Sequence, residues 1–103
     1  MGEPRNEKIC AIFAVRYATE KRHISHVNAR IHTGGEYEPL RSFTKSEILA
    51  KLDSGWMVIT MTKGGKDYIY SADVTDYTIN GKRYIKTVPN DTEEDNLGEL
   101  PTF

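Results

Sequence analysis

Cysteine and long apolar runs are both scarce in this sequence of 103 residues. The only cysteine, Cys10, has no partner within the chain, which excludes an internal disulfide framework. Cys10 lies in the apolar run of residues 9–15, so we expect it to pack as a small core residue rather than to act as a reactive thiol. No stretch reaches the roughly 20 apolar residues that a membrane-spanning helix needs.

Three of the first seven residues are charged, and we expect residues 1–7 to form a flexible N-terminus. They also lack the apolar centre of a secretion signal. We therefore expect a cytoplasmic protein with no membrane partner. The chain length predicts a single domain, which we place at residues 8–90.

The formal net charge of −1 conceals an uneven distribution. All 14 lysines and arginines lie at or before Lys86, whereas five of the 15 acidic residues follow Asn90. The charge is therefore +4 up to residue 90 and −5 beyond it. Residues 91–103 form an acidic tail, but Leu97, Leu100 and Phe103 recur in it at intervals of three. We expect these three side chains to dock the tail onto the domain.

Alternating apolar residues predict strands at residues 9–17 and 23–31, joined as a hairpin through the charged residues 19–22. In the first strand, the odd-numbered residues from Ile9 to Tyr17 would share one face. Gly34 and Gly35 indicate a turn. Residues 36–40 predict a short further strand, which Pro39 would confine to a sheet edge.

A helix of about ten residues is predicted after Thr44, which is its N-cap, with Glu47 completing a capping box. Phe43 and Ile48 form a hydrophobic staple across the cap. Gly55 supplies the left-handed residue that ends the helix.

Further strands are predicted at residues 56–62, 67–74 and 82–88. The apolar alternation reverses near Thr75 and Asp76, which predicts a bulge or break there. Asn80-Gly81 predicts a type I′ hairpin that pairs Ile79 with Lys82. The order β-β-α-β-β-β predicts an α+β fold, in which one helix packs on a small curved antiparallel sheet of about five strands.

The histidines do not predict a metal site. His23 and His26 would point to opposite faces of a strand, and His26 and His32 would lie about 20 Å apart. The sequence has no phosphate-binding loop and no serine nucleophile motif. We expect no cofactor or metal and no catalytic residue, and the pattern favours a non-enzymatic protein.

Tyrosine and lysine are the residues most suggestive of binding. Four tyrosines lie on neighbouring predicted strands with basic residues nearby: Tyr68, Tyr70, Tyr77 and Tyr84, with Lys66, Lys82, Arg83 and Lys86. Such a face binds single-stranded nucleic acid in some proteins, through stacking and phosphate contacts. Half-buried packing is the more common role of strand tyrosines, and the pI of about 6.3 also argues against a dedicated nucleic-acid binder.

The sequence resembles the bacterial family catalogued as domain of unknown function 3892. The resemblance extends from about residue 9 to residue 103. It depends on an ordered set of short matches: His23-Ile24-Ser25-His26-Val27, Ser46-Glu47-Ile48 followed by Gly55, Thr60, Tyr84-Ile85-Lys86-Thr87, Asp95-Asn96-Leu97 and Leu100-Pro101. The family has no established activity, so the resemblance implies a fold and no catalytic residues.

Asp95-Asn96 predicts a side-chain-capped turn that directs the tail back onto the sheet, and His26 would hydrogen-bond to this turn.

The lack of catalytic motifs and the separately charged tail favour a small accessory or protein-interaction domain. A nucleic-acid-associated module is the alternative, and a small-molecule-binding or enzymatic domain is a third reading. Homodimerisation through exposed strand edges stays open.

Overall fold

The computed structural model of the chain describes residues 8–18, 23–33, 36–64, 67–88, 92–98 and 100–103. The predictions for residues 1–7, for the connection 19–22 and for the Gly34-Gly35 turn lie outside the described residues. The elements follow the order β1 (Lys8–Tyr17), β2 (Ile24–Thr33), β3 (Arg41–Thr44), α1 (Lys45–Asp53), β4 (Met57–Gly64), β5 (Asp67–Asp73), β6 (Thr75–Ile79) and β7 (Lys82–Lys86). This arrangement confirms the predicted α+β class.

The strands form a five-stranded sheet in the order β3-β2-β1-β4-β5 and a separate hairpin of β6 and β7. Neighbouring strands in the large sheet are antiparallel except β1 and β4, which run parallel. The sheet is therefore mixed, because the chain crosses from β3 through the helix before β4 joins β1. The short strand expected at residues 36–40 lies instead at Arg41–Thr44, which leaves Pro39 outside the sheet.

Helix α1 begins as predicted. The Thr44 side chain accepts a hydrogen bond from the Glu47 N–H, and the Glu47 carboxylate accepts one from the Thr44 N–H. Gly55 has a φ of 88°, a left-handed conformation that glycine adopts without steric cost. Ile48 is the fully buried residue of this helix, and it anchors α1 to one face of the sheet.

The hairpin between β6 and β7 also follows the sequence. Asn80 and Gly81 both have positive φ, as a type I′ turn requires, and Ile79 pairs with Lys82. The predicted break in alternation falls at Val74, which separates β5 from β6 and is itself buried.

The core lies between the five-stranded sheet and α1. Its buried members come from the helix, from strands of both sheets and from the C-terminal segment: Cys10, Ile12, Val15, Ile24, Val27, Ala29, Ile31, Phe43, Ile48, Val58, Val74, Ile85, Leu97 and Leu100. Burial raises the pKa of the Cys10 thiol to about 11, so the thiol stays protonated at neutral pH. Cys10 is thus the core residue that its apolar surroundings predict.

A bulge in β1 changes which of its residues reach this core. The pairing with β2 shifts between Ile12 and Ala14, so Cys10 and Ile12 face the core before the bulge and Val15 faces it afterwards. The prediction that all the odd-numbered residues share one face is therefore wrong, because the face changes across the bulge. Phe13 belongs to the opposite face of the sheet.

Candidate functional site

The C-terminal segment, residues 92–98 and 100–103, bonds to both sheets. Beside the hairpin, the Asn96 N–H donates to the Ile85 carbonyl at 2.9 Å, and the Thr87 N–H donates to the Asn96 carbonyl at 3.0 Å. Beside the large sheet, the Val15 N–H donates to the Pro101 carbonyl at 2.9 Å. The segment therefore links β7 to β1 through backbone hydrogen bonds.

Side chains of the segment pack differently along its length. Leu97 and Leu100 are buried in the core, whereas Phe103 is 36% exposed. The Phe103 ring lies 4.7 Å from the Arg16 guanidinium, a cation–π contact at the end of β1.

Asp95 has the most completely buried carboxylate described in this segment, and four polar contacts surround it. Its Oδ2 accepts the Ile24 N–H at 2.7 Å, and its Oδ1 accepts the Ile85 N–H at 2.9 Å. The Lys45 ammonium lies 2.9 Å from Oδ1 and 3.0 Å from Oδ2. We call Asp95, Lys45, Ile24 and Ile85 the Asp95 cluster. It joins the start of β2, the start of α1 and β7.

The turn predicted at Asp95-Asn96 is present. Asn96 Oδ1 accepts the Gly98 N–H at 2.9 Å, and Gly98 has a φ of 81°. The predicted hydrogen bond from His26 is not made. The Nδ1 atom of His26 lies 3.0 Å from Ser25 Oγ, and β2 reaches Asp95 through the Ile24 backbone instead.

Tyr84 and Lys86 lie beside the Asp95 cluster and are almost completely buried. The Lys86 ammonium donates to the Thr92 carbonyl. Two ammonium groups contact the Tyr84 ring, that of Lys45 at 5.2 Å and that of Lys86 at 5.9 Å from its centroid. Burial of both residues makes this region a structural junction rather than an accessible binding surface.

Tyr68 and Tyr70 lie on β5, the terminal strand of the large sheet, whereas Tyr84 lies on β7 in the hairpin. The predicted tyrosine face is therefore wrong as a single surface, because β5 and the β6-β7 hairpin belong to different sheets. Arg83 forms two ion pairs within the chain, with the carboxylate of Asp53 at 2.7 Å and with that of Asp76 at 2.8 Å.

The site residues predicted from the sequence thus lie in two separate places. Tyr84, Lys86, Asp95 and Asn96 come together at β7 and the C-terminal segment. Tyr68 and Tyr70 lie on β5, the terminal strand of the large sheet. His26 precedes the core residue Val27 in β2, so it belongs to the sheet face turned away from the helix.

We call that face the open face, and define it by Phe13, Arg30, Met61 and Tyr68 with Leu40 beside them. Arg30 lies opposite the core because it follows the core residue Ala29 in β2, and Phe13 lines the same pocket as Arg30. The rings of Phe13 and Tyr68 meet edge to face, 4.6 Å between centroids. A groove of about 460 Å³ runs among Phe13, Ala14, Leu40, Met61, Thr62, Tyr68 and Pro101.

The edge of the large sheet beside this face is formed by β5. Among the described residues, β4 is the one strand hydrogen-bonded to β5. Three consecutive apolar side chains are widely exposed there: Tyr68 at 48%, Ile69 at 54% and Tyr70 at 57%. The Tyr70 hydroxyl donates to Asp73 at 3.0 Å, and this bond raises the pKa of Tyr70 because it stabilises the protonated phenol. We call Tyr68, Ile69 and Tyr70 the β5 edge.

Sequence reasoning missed most of the open face. Phe13 carries an apolar signal, but the alternation predicts that it shares a face with Val15, because the bulge in β1 has no sequence marker such as glycine. Arg30 and Leu40 had no local signal, since their juxtaposition depends on the path of residues 36–40 over β2. Tyr68 and Tyr70 were identified, but with the wrong neighbours.

The family model for a protein of unknown function, DUF3892, matches residues 11–101. The chain belongs to the DUF3892 family. No curated protein and no solved structure gives a match. In this DUF3892 chain no helix of the described residues is both long enough and apolar enough to cross a membrane.

Proposed function

We propose that this DUF3892 chain is a non-catalytic protein-interaction module that binds an extended segment of a partner protein along β5. The observation that carries the proposal is the β5 edge, where three adjacent apolar side chains are about half exposed on the terminal strand of a sheet. An added strand would pair with the outer backbone groups of β5 and cover these side chains.

The composition of β5 supports this mode of binding. Sheet edges that avoid pairing usually carry lysine, proline or a bulge within the strand. The seven residues of β5 include no lysine and no proline, and their two charged residues, Asp67 and Asp73, stand at the ends. The strand has one bulge, at Ser71, and residues 67–70, which include the β5 edge, pair with β4 without a register shift. Tyrosine is also enriched at protein interfaces, because its ring is apolar and its hydroxyl is polar.

The nucleic-acid alternative has less support. It needs accessible tyrosines and free cations on one surface. Tyr84 and Lys86 are buried and Arg83 is held by two carboxylates, whereas the exposed Tyr68 and Tyr70 lie on a different sheet.

The test is affinity capture of the tagged chain from its native host, in parallel with Ile69→Lys and the matched variant Val88→Lys. Val88 is 64% exposed and lies after β7, away from the β5 edge. We expect a stoichiometric protein partner that survives nuclease treatment, is retained by Val88→Lys and is lost with Ile69→Lys.

Three results would contradict the proposal. A partner that binds Ile69→Lys as well as the unmodified chain would place the interface elsewhere. Recovery that depends on intact nucleic acid would favour the alternative function. A concentration-dependent dimer in analytical ultracentrifugation, abolished by Ile69→Lys, would assign the β5 edge to a second copy of the chain.

A further inference from the structure

The groove on the open face differs from the β5 edge because it is concave and carries a cation at one end. Beside the main groove lies a smaller pocket of about 140 Å³, lined by Phe13, Arg30, Leu40 and Tyr68. The two share Phe13, Leu40 and Tyr68, so they form one depression with an apolar body and the Arg30 guanidinium at its margin.

The Arg30 side chain is held in place by its neighbours. Its Nε donates to the Glu38 carbonyl at 2.9 Å, and its guanidinium lies 6.0 Å from the Tyr37 ring centroid. These contacts fix the planar group but use one of its five N–H donors, so the terminal nitrogens remain as donors.

Arg30 has no acidic partner among the residues that the structure describes. The carboxylate of Glu38 pairs with Arg41 instead, at 3.5 Å. A guanidinium is protonated at all physiological pH values, and its two terminal nitrogens match the two oxygens of a carboxylate. The charge at the groove margin is therefore complementary to an anion that the described part of the chain does not supply.

We propose that this groove binds a small organic monocarboxylate with an aliphatic chain. The chain occupies the apolar body between Leu40 and Tyr68, and the carboxylate pairs with Arg30. The groove volume falls in the range of sites for small ligands, about 300–1,000 Å³, which favours a free molecule over a protein surface as the occupant. The inference does not depend on the proposed role of β5.

The experiment is an amide-resonance NMR titration with octanoate and, separately, 1-octanol, which has the same chain length and no charge. We expect octanoate to shift resonances around Phe13, Leu40 and Tyr68 and to bind at least about tenfold more tightly than 1-octanol, since hydrogen bonds to charged groups contribute that much. Arg30→Gln should remove the difference between the two probes, and Arg30→Lys should retain part of it.

Two further variants locate the site. Leu40→Asp should weaken both probes, because it places a charge on the apolar wall, whereas Val88→Asp should change neither. Thermal unfolding of each variant checks that it is folded.

Equal affinity for octanoate and 1-octanol, an unchanged preference in Arg30→Gln, shifts that map away from the groove, or no binding at millimolar octanoate would each overturn the proposal. Tighter binding of a capped Leu-Leu-Glu peptide amide at the same resonances would overturn it in favour of a protein segment. Loss of partner capture by Ile69→Lys together with unchanged octanoate binding would show that the two sites are separate.

Discussion

The C-terminal segment and strand β5 both lie beside strands of this molecule, but their surroundings differ sharply. The C-terminal segment exchanges backbone hydrogen bonds with β1 and β7, and it buries Leu97, Leu100 and the Asp95 carboxylate. Strand β5 bonds to β4 on one side and exposes Tyr68, Ile69 and Tyr70. The acidic end of the sequence thus contributes to the interior, whereas the aromatic residues of β5 are exposed to solvent.

The difference shows where hydropathy is a poor guide to burial. Asp95 can be buried because two backbone N–H groups and Lys45 satisfy its oxygens. Tyr68 and Tyr70 can be exposed because a tyrosine hydroxyl is compatible with water, and the strand has no further described neighbour to cover them. Stability should therefore depend strongly on the C-terminal segment and weakly on the β5 edge.

Deletion of residues 91–103 should have the largest effect on stability. It removes two buried leucines, each worth about 1.5–3 kcal/mol, together with the Asp95 cluster. We expect a loss of about 5 kcal/mol or more, comparable to the total stability of a small domain. Denaturant unfolding of the truncated and full chains measures it. If the truncated chain were as stable as the full chain, the C-terminal segment would not stabilise the fold and would not differ from the β5 edge in this respect.

Asp95→Ala should have the next largest effect. The substitution leaves the Ile24 and Ile85 N–H groups buried without acceptors and removes the partner of Lys45. We expect a loss of about 3–5 kcal/mol in the free energy of unfolding, as is typical when a buried ion pair is broken from one side.

The matched control for Asp95→Ala is Asp73→Ala. Asp73 is exposed and bonds to the exposed Tyr70 hydroxyl at the β5 edge. Its removal should cost less than about 1 kcal/mol, as for other solvent-exposed polar pairs. Similar losses in the two variants would mean that burial does not distinguish the two regions.

Local sequence signals predicted the local structure well. Thr44 and Glu47 identify the start of α1, Asn80-Gly81 identifies the β6-β7 turn, and the reversal of alternation identifies the break at Val74. Each of these depends on neighbours within a few residues, so the chain itself carries the information.

Contacts between distant segments could not be predicted in the same way. The parallel pairing of β1 with β4 and the separation of β6 and β7 into a second sheet depend on how the chain crosses the core. The role of Asp95 as a hydrogen-bond acceptor could not be predicted either, because its donors at Ile24 and Ile85 are backbone N–H groups, which every residue except proline carries. Lys86 was assigned to a binding surface because its hydropathy gives no sign of burial.

Lys45→Met should have a smaller effect than Asp95→Ala. The Lys45 side chain is 20% exposed, and the two backbone donors still satisfy Asp95 when Lys45 is replaced. We expect a loss of about 1–2 kcal/mol, the range for one hydrogen bond to a charged group. Chemical denaturation at low and high salt measures it. A loss as large as that of Asp95→Ala would make the ion pair, rather than the backbone bonds, the main stabilising contact.

Ile69→Lys should have the smallest effect on stability and therefore tests the comparison most sharply. Ile69 is 54% exposed and lies on a strand with one described neighbour, so a lysine there can extend into water. We expect a change within about 0.5 kcal/mol, as for most surface substitutions. The measurement is the denaturation midpoint beside that of Val88→Lys, which alters an exposed valine outside the sheets. A large loss from Ile69→Lys alone would mean that the side chain is already covered in the free protein. Its role would then be structural, and the β5 edge would not be open to a partner.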